Sequence, residues 1–178
     1  MGIPMWQQPT YDPAAVQPMR DALTSAGFQE MITPDDVEAA LGNENDETVL
    51  VMINSVCGCA AGSARPGVTL ALQNSLIPDR LTTVFAGQDK AAVDHLRRQY
   101  LSELPPSSPF VALLKNKEVL FTLHRHDIEG RMPEDIAGSL VPAFDANCGA
   151  QGPSISPEDF KELAHAISCG SKIPAFRG

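Results

Sequence analysis

Apolar positions along this chain alternate between helical spacing and short unbroken runs. Val16, Met19, Leu23 and Ala26 recur on one helical face from Pro13, and Gly27 is a natural stop. Phe28 to Ile32 then reads as a short strand. Thr33-Pro34-Asp35-Asp36 supplies a capping hydroxyl, a first-turn proline and acids favoured by a helix N-terminus, so a helix is expected to end near Leu41-Gly42. After a polar loop, Val49 to Ile53 is apolar without interruption, as suits a strand covered on both faces. Val68, Leu70, Leu72 and Leu76 predict a helix next, kinked where Pro66 lacks an amide donor. Leu81 to Ala86 is another strand, and Val93, Leu96 and Tyr100 mark another helix. Beyond P-P-S-S-P, the runs F-V-A-L-L and V-L-F-T-L flank K-N-K-E and predict a hairpin, followed by a helix from Pro133 to about Val141.

The predicted order is α-βαβαβαββα: an α/β fold with a mixed central sheet, helices on both faces and an antiparallel edge from the late hairpin. Residues 1–12 are Pro-rich and read as an arm, and residues 1–148 as one domain. Residues 149–178 read as an extension with one short helix, opened by Ser156-Pro157-Glu158-Asp159. Its stripe of Phe160, Leu163, Ala164 and Ile167 is expected to pack on the domain or on a second copy, as in a homodimer.

Composition narrows the function. The 178 residues are 43% hydrophobic, enough for one domain with its own core. Thirteen Lys and Arg stand against 22 Asp and Glu, a formal charge of −9 that argues against nucleic acid or an anionic membrane as partner. No apolar stretch approaches a bilayer span, and the first residues lack the basic region and apolar core of a secretory signal. Gly2 invites the myristoylation reading, but Trp6 stands where that motif needs Ser or Thr. The expected compartment is the cytoplasm, where thiols stay reduced. Four cysteines are then redox-active, metal-binding or buried rather than a disulfide framework.

Two of them, Cys57 and Cys59, follow the strand Val49–Ile53 and precede a helix. In an α/β sheet, the carboxyl ends of strands carry ligand chemistry. A helix N-terminus offers free N–H donors and partial positive charge, which lower a thiol's pKa and favour the attacking thiolate. Cys57 is therefore expected to be the nucleophile. Cys59, deeper in the first turn, is expected to resolve a mixed disulfide on Cys57, with Gly58 letting the backbone bend between them. Arg65 is read either as added positive charge or as a solvated helix residue. Ser108-Pro109 opens the fourth strand, where a cis proline would help shape, together with Gly58, a substrate groove near Cys57.

With these features the chain resembles the thioredoxin-like superfamily. Within it, N-S-V-C-G-C-A-A-G-S-A-R-P, P-P-S-S-P, Ile128-Glu129-Gly130-Arg131 and A-F-D-A-N-C ending at Cys148 resemble the bacilliredoxins, from about Tyr11 to Cys148. The resemblance implies a thiol-disulfide oxidoreductase with a C-G-C site and no bound cofactor. Its co-substrate would be a low-molecular-weight thiol such as bacillithiol, and its partners oxidised or thiol-capped proteins. Cys57 would take the small thiol from a protein mixed disulfide and Cys59 would resolve it, with weak disulfide isomerase or reductase activity besides.

Two other classes stay open on the residues alone. A zinc module could draw on C-G-C, Cys148, Cys169 and four histidines, although only one closely spaced cysteine pair exists. A silent thioredoxin-like adaptor would instead use the acidic surface for contacts. His124 and His126 would share a face if H-R-H-D ended a strand, which is read as a half-exposed strand end. Cys148 reads as a second resolving thiol or as an ordinary cysteine at a helix end, and Cys169 as incidental.

Overall fold

The structure is a computed structural model describing residues 2–176. Its central sheet is built from β1 (Gln29–Glu30), β2 (Thr48–Asn54), β4 (Arg80–Phe85), β5 (Phe110–Lys115) and β6 (Glu118–Leu123), in the order β1-β4-β2-β5-β6. β1, β4 and β2 run parallel, while β5 is antiparallel to β2 and β6 to β5. This is the mixed sheet of a thioredoxin-like fold. The hairpin turns at Asn116 and Lys117, whose φ angles of 49° and 67° match a two-residue turn of left-handed conformation.

All seven residues of β2 are buried, and alternation sends them to two cores. Leu50 and Met52 face α1 (Pro13–Thr24), α3 (Arg65–Ala71) and α6 (Pro133–Asn147). Val49, Val51 and Ile53 face α2 (Pro34–Leu41) and α4 (Lys90–Tyr100). β5 divides likewise, with Val111 and Leu113 in the first core and Phe110, Ala112 and Leu114 in the second. Burying each such aliphatic side chain contributes about 1.5–3 kcal/mol, which fixes β2 as the sheet's central strand. Thr33 caps α2 through a reciprocal pair of bonds with Asp36, as its sequence predicts.

The structure departs from the sequence reading in several elements. Helical backbone begins at residue 58 and is π-helical over Ala60–Ala64, with Arg65 N–H bonded to Ala60 O. The loss of the Pro66 donor is thus met by a widened turn rather than a simple kink. His124 to Asp127 does not end a strand: α5 (Arg125–Ile128) begins there, with His124 N–H donating to Asp127 Oδ2 at 2.9 Å. α6 continues through Pro142 to Asn147. A second, two-stranded sheet joins β3 (Leu76–Ile77) to β7 (Ala150–Gln151).

β7 ties residues 149–176 to the domain. Ser154 N–H donates to Leu72 O, and its hydroxyl donates to Ala26 O at 2.7 Å. α7 (Pro157–Cys169) buries Leu163 completely in the first core and Ala166 nearly so, with Ile167 packed against it. The inward face is therefore turned relative to the predicted stripe: Ala164 is exposed and Ala166 takes its place. Among the described residues, no helix is long and apolar enough to cross a membrane.

Candidate active site

β2 ends at Asn54, and a set of hydrogen bonds fixes the chain beyond it. Asn54 Nδ2 donates to Met19 O, while its Oδ1 accepts from Ser55 N–H and from Arg65 Nη1. Arg65 Nη1 also donates to Ser55 O at 2.8 Å. The Ser55 hydroxyl in turn accepts from Cys57 N–H at 3.3 Å. Arg65 is not the solvated helix residue that was one of its two readings. At 5% exposure it is a buried strut, reaching back from the helix to hold the loop. Burial pulls its guanidinium below the ordinary value, and the Cys57 charge acts in the opposite sense.

Cys57 occupies the capping position of the helix. Its carbonyl accepts from Ala60 and Ala61 N–H, and its Sγ accepts from Ala60 N–H at 3.4 Å. Burial would raise its pKa. Hydrogen bonds with Cys59, the Ser55 hydroxyl and the Ala60 amide, together with the charge of Arg125, outweigh that and place it below the ordinary thiol value. Cys59 shifts the other way, raised by burial, by its hydrogen bond with Cys57 and by the Cys57 charge. Both thiols are free and partly exposed. The pair is therefore asymmetric: Cys57 is the better thiolate and Cys59 keeps its proton to donate to it.

Gly58, between them, has ordinary helical backbone, so left-handed freedom is not its role. A Cβ there would meet nothing within 4 Å, so its effect is to leave space open beside the sulfurs. Ser108 and Pro109 lie at the head of β5, joined by a cis peptide bond. Because Phe110 pairs with Ile53, this turn stands beside the end of β2 from which the cysteine loop springs.

Arg125 was not singled out from the sequence, which gives no sign that α5 lies near C-G-C. Its N–H donates to the Ser107 hydroxyl at 2.8 Å, and its guanidinium is ion-paired with Glu129 at 2.6 Å. His124 and His126 stack with centroids 5.3 Å apart, and His124 also meets the edge of Phe110. Among the described residues, no three His, Cys, Asp or Glu side chains are grouped to hold a metal ion, so the zinc reading lacks a donor set there.

Cys148 is not part of this site. It is buried at the end of α6 near Thr48, which begins β2, whereas Cys57 follows the other end of that strand. Seven residues of strand separate those ends by about 20 Å. Burial raises its thiol as well. Its reading as a second resolving thiol is corrected to that of a core cysteine. Cys169 is exposed on α7, 3.6 Å from His165 Nε2.

Comparison with known proteins agrees with this geometry. A family profile described as disulphide isomerase matches residues 11–148. A bacilliredoxin of Salinibacter ruber is 45% identical over 167 residues, covering 94% of this chain and 97% of that protein. A second from the same organism is 46% identical over 166 residues, covering 93% and 95%. A bacilliredoxin of Geobacillus kaustophilus is 50% identical over 135 residues, covering 75% of this chain and 92% of its own. A solved structure described as having a thioredoxin fold covers 68% of this chain and 96% of its own, at 15% identity and a TM-score of 0.47. A C-G-C pair capping a helix beside the central strand, in a chain alike to these relatives over three quarters or more of its length, places the protein in the bacilliredoxin family of thiol-disulfide oxidoreductases.

Proposed function

We propose that the protein removes a low-molecular-weight thiol, of the bacillithiol kind, from mixed disulfides on client proteins in the cytoplasm. The observation that carries this reading is the capping position of Cys57, with Ala60 N–H, Ser55 and Cys59 as hydrogen-bond partners and Arg125 as nearby charge. The Cys57 thiolate attacks the small-thiol sulfur of the client disulfide. One S–S bond breaks as another forms, and the client cysteine leaves as a thiolate that takes up a proton. Cys59 then loses its proton and attacks Cys57 Sγ, releasing the small thiol and leaving a Cys57–Cys59 disulfide. Two equivalents of a reducing thiol return the pair to the dithiol and are themselves oxidised to a disulfide. The same exchange run on a protein disulfide gives weak isomerase or reductase activity.

Intact-mass measurement after exposure to a bacillithiol-capped protein tests the roles. Cys57→Ser is expected to abolish uncapping, and Cys59→Ser to accumulate the cap on Cys57. A cap found on Cys59, with full activity in Cys57→Ser, would reverse the assignment.

A further inference from the structure

A groove of about 510 Å³ begins at Gly58, the residue between the two cysteines, and runs between the start of their helix and α7. Its floor is Gly58, Ala61 and Gly62, all exposed, and a Cβ built on either glycine would meet nothing within 4 Å. Its wall is Phe160, Ala164 and Ile167, of which Phe160 and Ile167 are only half-buried. The volume is within the range of ligand-binding clefts, and no charged side chain lines it. α7 lies beyond the 11–148 stretch shared with the family profile, yet an alignment over 167 of 178 residues with the Salinibacter protein takes in most of it.

We propose that this groove is a subsite for an apolar segment of the client polypeptide, the residues flanking the cysteine whose disulfide Cys57 attacks. The proposal rests on the thiol-disulfide reading above. Gly58 is both the groove's end and the residue between the sulfurs, so chain leaving a disulfide poised at Cys57 passes over it. A polar or anionic small-thiol cap finds no counter-charge in the groove. Arg125, whose positive charge acts on both thiols, does not line it. The cap and the client chain thus part in different directions from the reacting bond. The apolar wall is left for aliphatic or aromatic side chains, whose burial there displaces water from Phe160 and Ile167. Bond making and breaking remain as described above.

The test uses the full chain and two peptides, each with one bacillithiol-capped cysteine, flanked on both sides by Leu in one and by Ser in the other. Cap release is followed by mass spectrometry to give kcat/KM for each. The wild-type protein is expected to favour the Leu-flanked peptide about tenfold, roughly what burial of one aliphatic side chain supplies, chiefly through KM. Ala164→Trp, a change at an exposed position that fills the groove, is expected to bring the ratio near one, and Gly62→Leu to do the same from the floor. Equal use of both peptides by the wild type, or an unchanged ratio in both variants, overturns the groove while leaving the redox reading intact. Failure to uncap either peptide overturns the redox reading, and the groove falls with it.

Discussion

At the scale of single residues, reactivity depends on a few polar contacts around one sulfur. Because Cys57 is held below the ordinary thiol value and Cys59 and Cys148 above it, alkylation of Cys57 is expected to rise with pH before that of Cys59 and Cys148. Below the pKa of Cys57 the proton returns to its sulfur and the difference disappears. Arg125→Ala removes one contribution favouring the thiolate, so the midpoint of Cys57 alkylation should move to higher pH, read by peptide mapping across a pH series. Salt should shrink that effect, since the Arg125 side chain is half exposed. An unmoved midpoint would show that the amide and hydroxyl contacts suffice. The cysteine pair was legible in the sequence because a helix start after an apolar run is a local pattern. Arg125 was not, because only the pairing of β5 with β2 brings that part of the chain near C-G-C. Cys148 kept two readings for the same reason: sequence says it ends a helix, but not which end of β2 the helix approaches.

At the scale of elements, the site depends on how closely the cysteine helix approaches its neighbours. A Cβ on Gly67 would lie 2.5 Å from Ile136 Cβ and 3.0 Å from Pro133 O, so α3 and α6 meet where only glycine fits. Gly67→Ala is expected to cost about 1–3 kcal/mol, measured by urea unfolding. No loss would mean that α6 shifts freely. Ser63, one turn earlier, donates to Arg131 O at 2.6 Å and fixes the same helix to the loop before α6. The long elements were readable because periodicity and caps are local: α1, α2, α4, β2 and the hairpin all fall where their apolar spacing puts them. β3, β7 and the four-residue α5 were not, since two-residue ladders and single helical turns leave no period. The π-helical turn was half legible, as Pro66 announced a lost donor but not how the backbone would absorb it.

At the scale of the whole molecule, residues 149–176 form part of the first core. Leu163 is fully buried there among side chains of α1, α3 and α6. Leu163→Ala is therefore expected to cost about 2–5 kcal/mol, with each kcal/mol lowering Tm by roughly 2–4 °C. An unchanged Tm in calorimetry would mean that α7 contributes nothing to folding. The tail's helix was evident from its cap, but its facing was not: the apolar stripe allowed Ala164 inward, and packing chose Ala166 because β7 fixes where the chain enters. β2 has a consequence of its own. It is hydrogen-bonded along both edges and buried on both faces, so its amides can trade hydrogen with solvent only when the entire molecule opens. The sulfurs sit just past the tip of that strand. Redox turnover and unfolding therefore run on separate clocks, and the protein can pass through many cycles of exchange on a foundation that, over the same interval, does not move.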